Sequence, residues 1–238
     1  MPLVLGLLLA LLVATVEADD LWLVRNEKLV EQEVAANLLR TIAARAELNL
    51  TISPLPAARA SQMAQRGQVH GEVARLAAYA ASHPQLLRVE PSYYQLRSAV
   101  FCRRDRPLTI HGVADLQGHS VGIIRGVVHA QQLTAGVEQV MEVDDTHQLF
   151  AMLDAGRFEL AIDTAMNGQH LLRTHPFSQL RQLMVLAEQP LFVYLRPELW
   201  AQGERLAATI RALSASGELA QMTAQAEQRF IAAGPGPQ

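Results

Sequence analysis

The densest run of chemically capable side chains is RGQVHGEVAR, Arg66 to Arg75, where His70, Glu72 and Arg75 lie among glycines and small residues. An imidazole and a carboxylate this close offer an acid/base pair, provided both reach one proton. A metal would need further ligands at workable spacing. The eight histidines include no His-x-x-x-His pair and no glutamate-linked zincin pattern, so no metal is expected. His70 then reads as a turn residue capping a following helix. Glu72 and Arg75 are three apart, and on a helix starting near here they share a face and pair. Two uses stay open for that pair. It is a local salt bridge fixing the turn, or Arg75 clamps a carboxylate through two parallel hydrogen bonds while Glu72 orients it.

Three further places carry groups suited to holding a small charged molecule. Arg59 follows Pro56 at the end of a predicted strand, and open α/β sheets bind ligands beyond the carboxyl ends of strands. An ordinary surface arginine is the alternative. Arg125-Gly126 stands where SVGII hands over to a helix, whose free N–H groups and dipole favour an anion. A plain turn glycine explains the same residues. Asp163 ends RFELAID and either faces a ligand or caps the following turn. Tyr93 and Tyr94 offer an aromatic wall, while Phe192 and Tyr194 read as strand packing. No Ser/His/Asp order, P-loop or dinucleotide glycine pattern is present, so no cofactor is expected. An enzyme would have to use His70 and Glu72, the evident acid/base candidates.

These residues need elements to hold them. DLWLVRNE reads as a buried strand, followed by a helix with apolar residues at Leu29, Val34, Leu38, Ile42 and Leu48. NLTISPLP is a second strand ended by its prolines, residues 57–65 are helical, and Gly67 stops that helix. Gln68 to Glu72 reads as a short strand or turn, and VARLAAYAAS as a helix ending before Pro84. LLRVEP and YQLRSAVFCRR are strands. HSVGII, VEQVMEV and RFELAID are strands separated by helices, with N-cap candidates at Asp144 to Thr146 and Gly156 closing one helix. LRQLMVLAEQPLFVYLRP returns as a strand, and 198–232 is mostly helical. Strands alternating with helices predict an α/β fold with a largely parallel sheet. The break at Arg103–Pro107 and the strand-rich return at 182–196 predict two crossings between two lobes.

Composition removes several classes. In 238 residues, 50% are hydrophobic and 18% charged, as in globular chains. Net charge −3 gives no basic field for nucleic acid. Cys102 is the only cysteine, so disulfide-stapled and cysteine-ligated metal domains are excluded. Residues 1–18 are apolar from Pro2 to Val16 and fit a signal-peptide core with a cleavage site at Val16-Glu17-Ala18. No Lys or Arg precedes that run, which leaves an uncleaved anchor open.

The order of motifs resembles a branch of the bacterial extracellular solute-binding proteins, family 3. LPAARA, GQVHGEVAR and HPQLLRVEP resemble its Pro-x-x-Arg-Ala, Gly-x-x-Asp-Gly-Glu-x-x-Arg and Pro-x-Leu-x-x-Val segments, and DLQGHSVGIIRG and LFAMLDAGRFELAI continue the match. The resemblance covers roughly residues 20–225. It implies a two-lobed, hinge-closing fold with a type II arrangement: a signal peptide at 1–18, lobe 1 at 19–102 plus 188–238, and lobe 2 at 103–187. It also implies a monomeric periplasmic receptor that takes an amino acid or other small carboxylate between the lobes. The implied partner is an inner-membrane ABC permease. Arg59, Glu72, Arg75, Arg125, Gly126 and Asp163 are the candidate ligand-binding residues, though Arg75 does not match the position of the family's usual carboxylate-binding arginine. The chain departs from the family pattern in four places. His70 replaces an aspartate, the Thr-x-x-Arg motif is missing, Val127 and Val128 replace a hydroxyl, and RNEKLVEQ leaves no room for the usual stacking aromatic. An enzyme of the lyase or dehydratase type and a sensory module without transport role remain as alternatives.

Overall fold

The computed structural model describes residues 20–27 and 29–233, so the expected signal peptide lies outside the described residues. The first strand, β1 (Asp20–Asn26), buries Leu21 and Leu23 on one face and Val24 on the other, with Asp20 and Trp22 exposed. Leu21 and Leu23 pack against Val34, Leu38, Leu39 and Ile42 of α1 (Val30–Arg45), while Val24 packs with Ala60 and Ala64 of α2 (Ala57–Gln65) on the other side. β1 pairs in parallel with β2 (Asn49–Leu55) and β3 (Gly71–Leu76). Pro54 does not end β2 as expected but pairs with Arg25 inside it. β2 is the outermost strand of the sheet, where a residue without an N–H is tolerated.

The remaining elements follow in order. A short helix α3 (Tyr79–Ser82) and a two-residue strand β4 (Leu87–Arg88) lead into the crossing strand β5 (Tyr94–Arg103). Then come β6 (Ser120–Ile124), α4 (Val128–Leu133), β7 (Gln139–Val143), α5 (Thr146–Asp154), β8 (Leu160–Thr164) and α6 (Ala165–Thr174). The long return strand β9 (Leu180–Leu195) ends in α7 (Trp200–Ala215) and α8 (Glu218–Ala233). The sheet order is β2-β1-β3-β9-β5-β8-β6-β7, with β4 attached to β9. Pairings at the two ends of the sheet are parallel and those made by β5 and β9 are antiparallel, so the sheet is mixed rather than largely parallel.

Hydrogen bonding is continuous across the nine strands, but packing divides the molecule in two. One half is built on the Leu23–Ile42 and Val24–Tyr194 clusters, the other on the Phe101–Phe150 and Val100–Val121–Ile162 clusters. β5 and β9 run from one half into the other. The molecule is therefore a two-lobed α/β fold whose crossing strands are hydrogen-bonded to each other from Tyr94–Leu191 to Arg103–Leu180.

One expected helix is a strand. VARLAAYAAS reads as helical because alanine and leucine favour helices, yet Gly71–Leu76 is β3, paired with β9, and the helix is confined to Tyr79–Ser82. Burial decides this. Gly71 through Ala74 are buried, and a Cβ at Gly71 would lie 1.9 Å from the carbonyl oxygen of Tyr194. That backbone approach requires glycine.

Helix α8 packs on α1, α6 and α7, and so covers the join between the halves. Its Phe230 ring lies 5.5 Å from His170 of α6, and Met166 of α6 belongs to the same apolar cluster as Phe230 and Leu39.

Candidate functional site

A strand normally sends residues three apart to opposite faces. β3 does not, because its register against β9 shifts between Glu72 and Arg75 and Ala74 has φ +52°. This bulge turns Arg75 back onto the side of Glu72. Arg75 Nε donates to Glu72 Oε2 at 2.6 Å, and Nη2 pairs with the same carboxylate and donates to Ser61 Oγ at 3.1 Å. The Tyr79 hydroxyl donates to Glu72 Oε1, and the Arg75 guanidinium lies over the Tyr79 ring, 4.7 Å from its centroid. Burial, then the Glu72 hydrogen bond, pushes the Tyr79 hydroxyl upward in pKa. Glu72 is fully buried. The bulge is held from the other side by Gln32, whose Nε2 donates to the Ala74 carbonyl at 3.2 Å while its Oε1 accepts the Asn26 amide at 2.6 Å.

The second group of charges sits where the halves meet. Strand β8 ends at the start of α6, and the first turn of α1 comes against it from the other half. Thr164 caps α6 by accepting the Asn167 amide at 3.2 Å, and its hydroxyl faces the Glu31 carboxyl. Asp163 Oδ1 accepts the Thr164 amide at 2.7 Å and the Asn167 side-chain amide at 3.2 Å. Glu31 and Asp163 are 4% and 2% exposed, and Glu31 Oε1 and Asp163 Oδ2 have no hydrogen-bond partner. Burial pushes Glu31 up to about 7 and Asp163 up to about 6. Beside them Arg97 pairs with Glu227 of α8, which also accepts the Tyr94 hydroxyl at 3.0 Å. His129 of α4 lies with Nδ1 2.9 Å from Ser98 Oγ of β5, and burial pushes it down to about 4.

The residues singled out from sequence separate into distinct environments. Glu72 and Arg75 come together, by a bulge rather than a helical turn. Asp163 is at the seam. Arg59 is exposed on the first turn of α2 and makes no side-chain hydrogen bond or ion pair among the described residues. Arg125, with its side chain 65% exposed, pairs with Glu142 of β7 and with Asp144. Gly126 has φ +77° with open space around it, a turn glycine before a helix of only six residues. Tyr93 and Tyr94 are buried in the apolar cluster of the first half and lie at the edge of a groove beside α8, away from the Glu72–Arg75 pair. Phe192 and Tyr194 are strand packing as expected.

His70 caps no helix, since a strand follows it; its Nδ1 accepts the Trp22 amide at 3.0 Å. With Glu72 enclosed by Arg75 and Tyr79, the acid/base pair proposed from sequence is not assembled. Among the described residues no group of three or more His, Cys, Asp or Glu could hold a metal ion. Sequence reasoning missed Glu31, Gln32, Ser61, Tyr79 and His129. Glu31 carries no local signal, because a glutamate in a first helical turn reads as a solvated partner of the helix dipole.

No family model and no curated protein sequence matches the chain. Solved structures do. An amino acid ABC transporter substrate-binding protein from Streptococcus pneumoniae, bound to L-arginine, shares 16% identity over 89% of this chain and 96% of that one, with a TM-score of 0.64. A histidine kinase sensor domain with similarity to periplasmic binding proteins shares 17% identity over 88% and 95%, with a TM-score of 0.63. The GluR0 ligand-binding core in complex with L-glutamate shares 13% identity over 89% and 98%, with a TM-score of 0.69. The chain has the two-lobed fold of the periplasmic binding proteins.

Proposed function

We propose that the protein captures a small amino-acid-like solute between its two halves, serving an ABC importer as an exported periplasmic receptor. The observation that carries this reading is the seam itself. Two carboxyl groups from opposite halves are buried there, and Glu31 Oε1 and Asp163 Oδ2 each lack a hydrogen-bond partner among the described residues. Buried polar atoms are normally paired, and a solute that pairs them on closure supplies the missing partner. The crossing strands β5 and β9 are the natural hinge. For the lobes we keep the division 19–102 with 188–238 against 103–187. Similarity of fold to proteins solved with L-arginine and L-glutamate supports a binding role and lends nothing to an enzymatic one. Among the described residues no helix is long and apolar enough to cross a membrane.

A sensory module is the second reading. The observation favouring it is that the halves already meet, with Met166 of α6 packed in the apolar cluster of the other half. Two grooves of about 610 and 630 Å3 lie beside α8 rather than at the Glu31–Asp163 seam. Thermal unfolding with a panel of amino acids and small carboxylates tests solute capture. A ligand at a hundred times its Kd stabilises by about 2.7 kcal/mol; a panel in which no compound raises Tm rejects capture in favour of the sensory module.

A further inference from the structure

We propose that the pole of the first half at which β1 begins is a membrane-docking surface, seated on a phospholipid bilayer by Trp22 and Trp200. The proposal goes beyond solute capture and does not depend on it.

Trp22 and Trp200 are the two tryptophans of the chain, and they are 40% and 55% exposed. Tryptophan is highly buried on average, so exposure of both calls for a physical reason. Far apart in sequence, they come to one end of the sheet. The His70 amide donates to the Trp22 carbonyl at 2.8 Å, and the Arg196 amide donates to the His70 carbonyl at 2.9 Å. The backbones of Trp22, His70 and Arg196 therefore stand side by side where β1 starts and β9 has just ended. One tight turn follows, in which the Leu199 amide donates to the Arg196 carbonyl at 3.0 Å, and Trp200 opens α7. Leu87, also exposed, pairs with Leu195 at the same end. The Trp22 ring is fixed by its own N–H, since Nε1 donates to Ser53 Oγ at 2.9 Å. Its polar group is thus satisfied by the protein while part of the ring stays open.

Chain connectivity, residue type and charge choose a bilayer as the occupant. The sequence is apolar from Pro2 to Val16 and enters the fold at Asp20, two residues before Trp22. A membrane that holds the apolar run holds this pole beside it. Tryptophan is the side chain that favours the membrane–water interface, where its apolar body and polar tip are both accommodated. The exposed large apolar residues of the second half, Val113, Val128, Val140 and Met141, carry no aromatic ring. Around the tryptophans Arg88 pairs with Glu90 at 2.6 Å and Arg196 pairs with Glu198. Arg66 and Asp20, both exposed, offset each other in charge. A balanced patch is neither drawn to nor repelled from a zwitterionic surface over distance, so buried apolar area sets the affinity.

The docked orientation follows from the strand direction. β1 runs away from this pole for seven residues, which is roughly 20 Å. The first turn of α1, with Glu31, lies past its far end. The bilayer then holds the first half by the end remote from the seam, and the second half stays clear of the lipid.

The test uses the full chain with phosphatidylcholine vesicles, plain or brominated in the acyl chains, and reads tryptophan emission. Trp22→Phe leaves Trp200 as the emitter, and Trp200→Ser leaves Trp22. We expect the emission of each variant to move to shorter wavelength with vesicles and to be quenched by brominated lipid. Both effects should persist in about 0.5 M sodium chloride, where charge attraction is screened. If Trp22→Phe fails to fold, the difference between the unmutated chain and Trp200→Ser gives the Trp200 signal. Trp200 that stays unquenched while the chain sediments with vesicles means that residues 2–16 alone hold lipid, and overturns the proposal. A shift that appears without vesicles and grows with protein concentration makes a second copy the occupant and overturns it as well. Binding confined to phosphatidylglycerol vesicles and abolished by salt does the same, because the tryptophans would not then be the anchors.

Discussion

Glu72 has no exposed surface, and its charge is compensated by Arg75, with Tyr79 completing its hydrogen bonds. Removing one partner of a buried ion pair leaves the other uncompensated. Arg75→Ala is therefore expected to cost about 3 kcal/mol in a urea titration. Arg125→Ala, at a solvated pair, should change stability by less than about 1 kcal/mol. The seam carboxyls give a pH signature of the opposite sense to an ordinary ion pair. Their folded pKa values, about 7 for Glu31 and about 6 for Asp163, are raised above the unfolded values. Their contribution is fully present below the unfolded pKa and is lost as pH rises through the folded one. Buried His129, held down at about 4, works against this, since its contribution is lost as pH falls from its unfolded value toward that point. Comparing Glu31→Gln with the unmutated protein cancels His129. The variant's relative stability should climb from about pH 5, level off above about pH 7, and reach on the order of 3 kcal/mol. A flat difference in Tm across that range would contradict the assignment. The Glu72–Arg75 pair and a turn-capping Asp163 were each legible as one of two readings; that Ser61 and Tyr79 complete the pair was not, because partners from α2 and α3 converge on it only on folding.

At the scale of elements, the bulge in β3 decides what Arg75 can do. Ala74 is held at φ +52°, a conformation that costs an L-residue about 1 kcal/mol. Ala74→Gly relieves that cost and gives up a buried methyl of similar worth, so stability should shift by less than about 1 kcal/mol. Ala74→Val places a β-branched side chain where such residues are outliers, and should cost about 2 kcal/mol or more in the same urea titration. A tolerated valine would mean that the bulge does not constrain this position. The helix expected at VARLAAYAAS failed for a related reason. Local preference for helix is a few tenths of a kcal/mol per residue, and it loses to a segment buried between β1 and β9. Helix α5 was legible because it carries its own punctuation. Asp145 caps α5 by accepting the Gln148 amide at 2.7 Å, and Gly156 follows that helix at φ +68°.

For the whole molecule, α8 is a helix that packs on both halves, on α1 and α7 of one and α6 of the other. Phe230 is 6% exposed and packs in the cluster that also takes in Met166 from α6. Phe230→Ala should cost about 3 kcal/mol. Amide exchange should then speed up in α6 and α1 together, whereas a merely local role would speed exchange in α8 alone. The alternation of strands and helices, the two crossings near Arg103 and at 182–196, and the order of motifs were enough to define a two-lobed α/β chain from sequence. Hydrophobic period and turn residues are local quantities, and they survive in a string of letters. Only the tertiary structure decided which charges are spoken for: Arg75 by Glu72, Arg97 by Glu227, Arg125 by Glu142 and Asp144. It also decided that Glu31 and Asp163 meet with open oxygens. Burial and pairing depend on residues far apart in the chain, and the free energy of a charge depends on both.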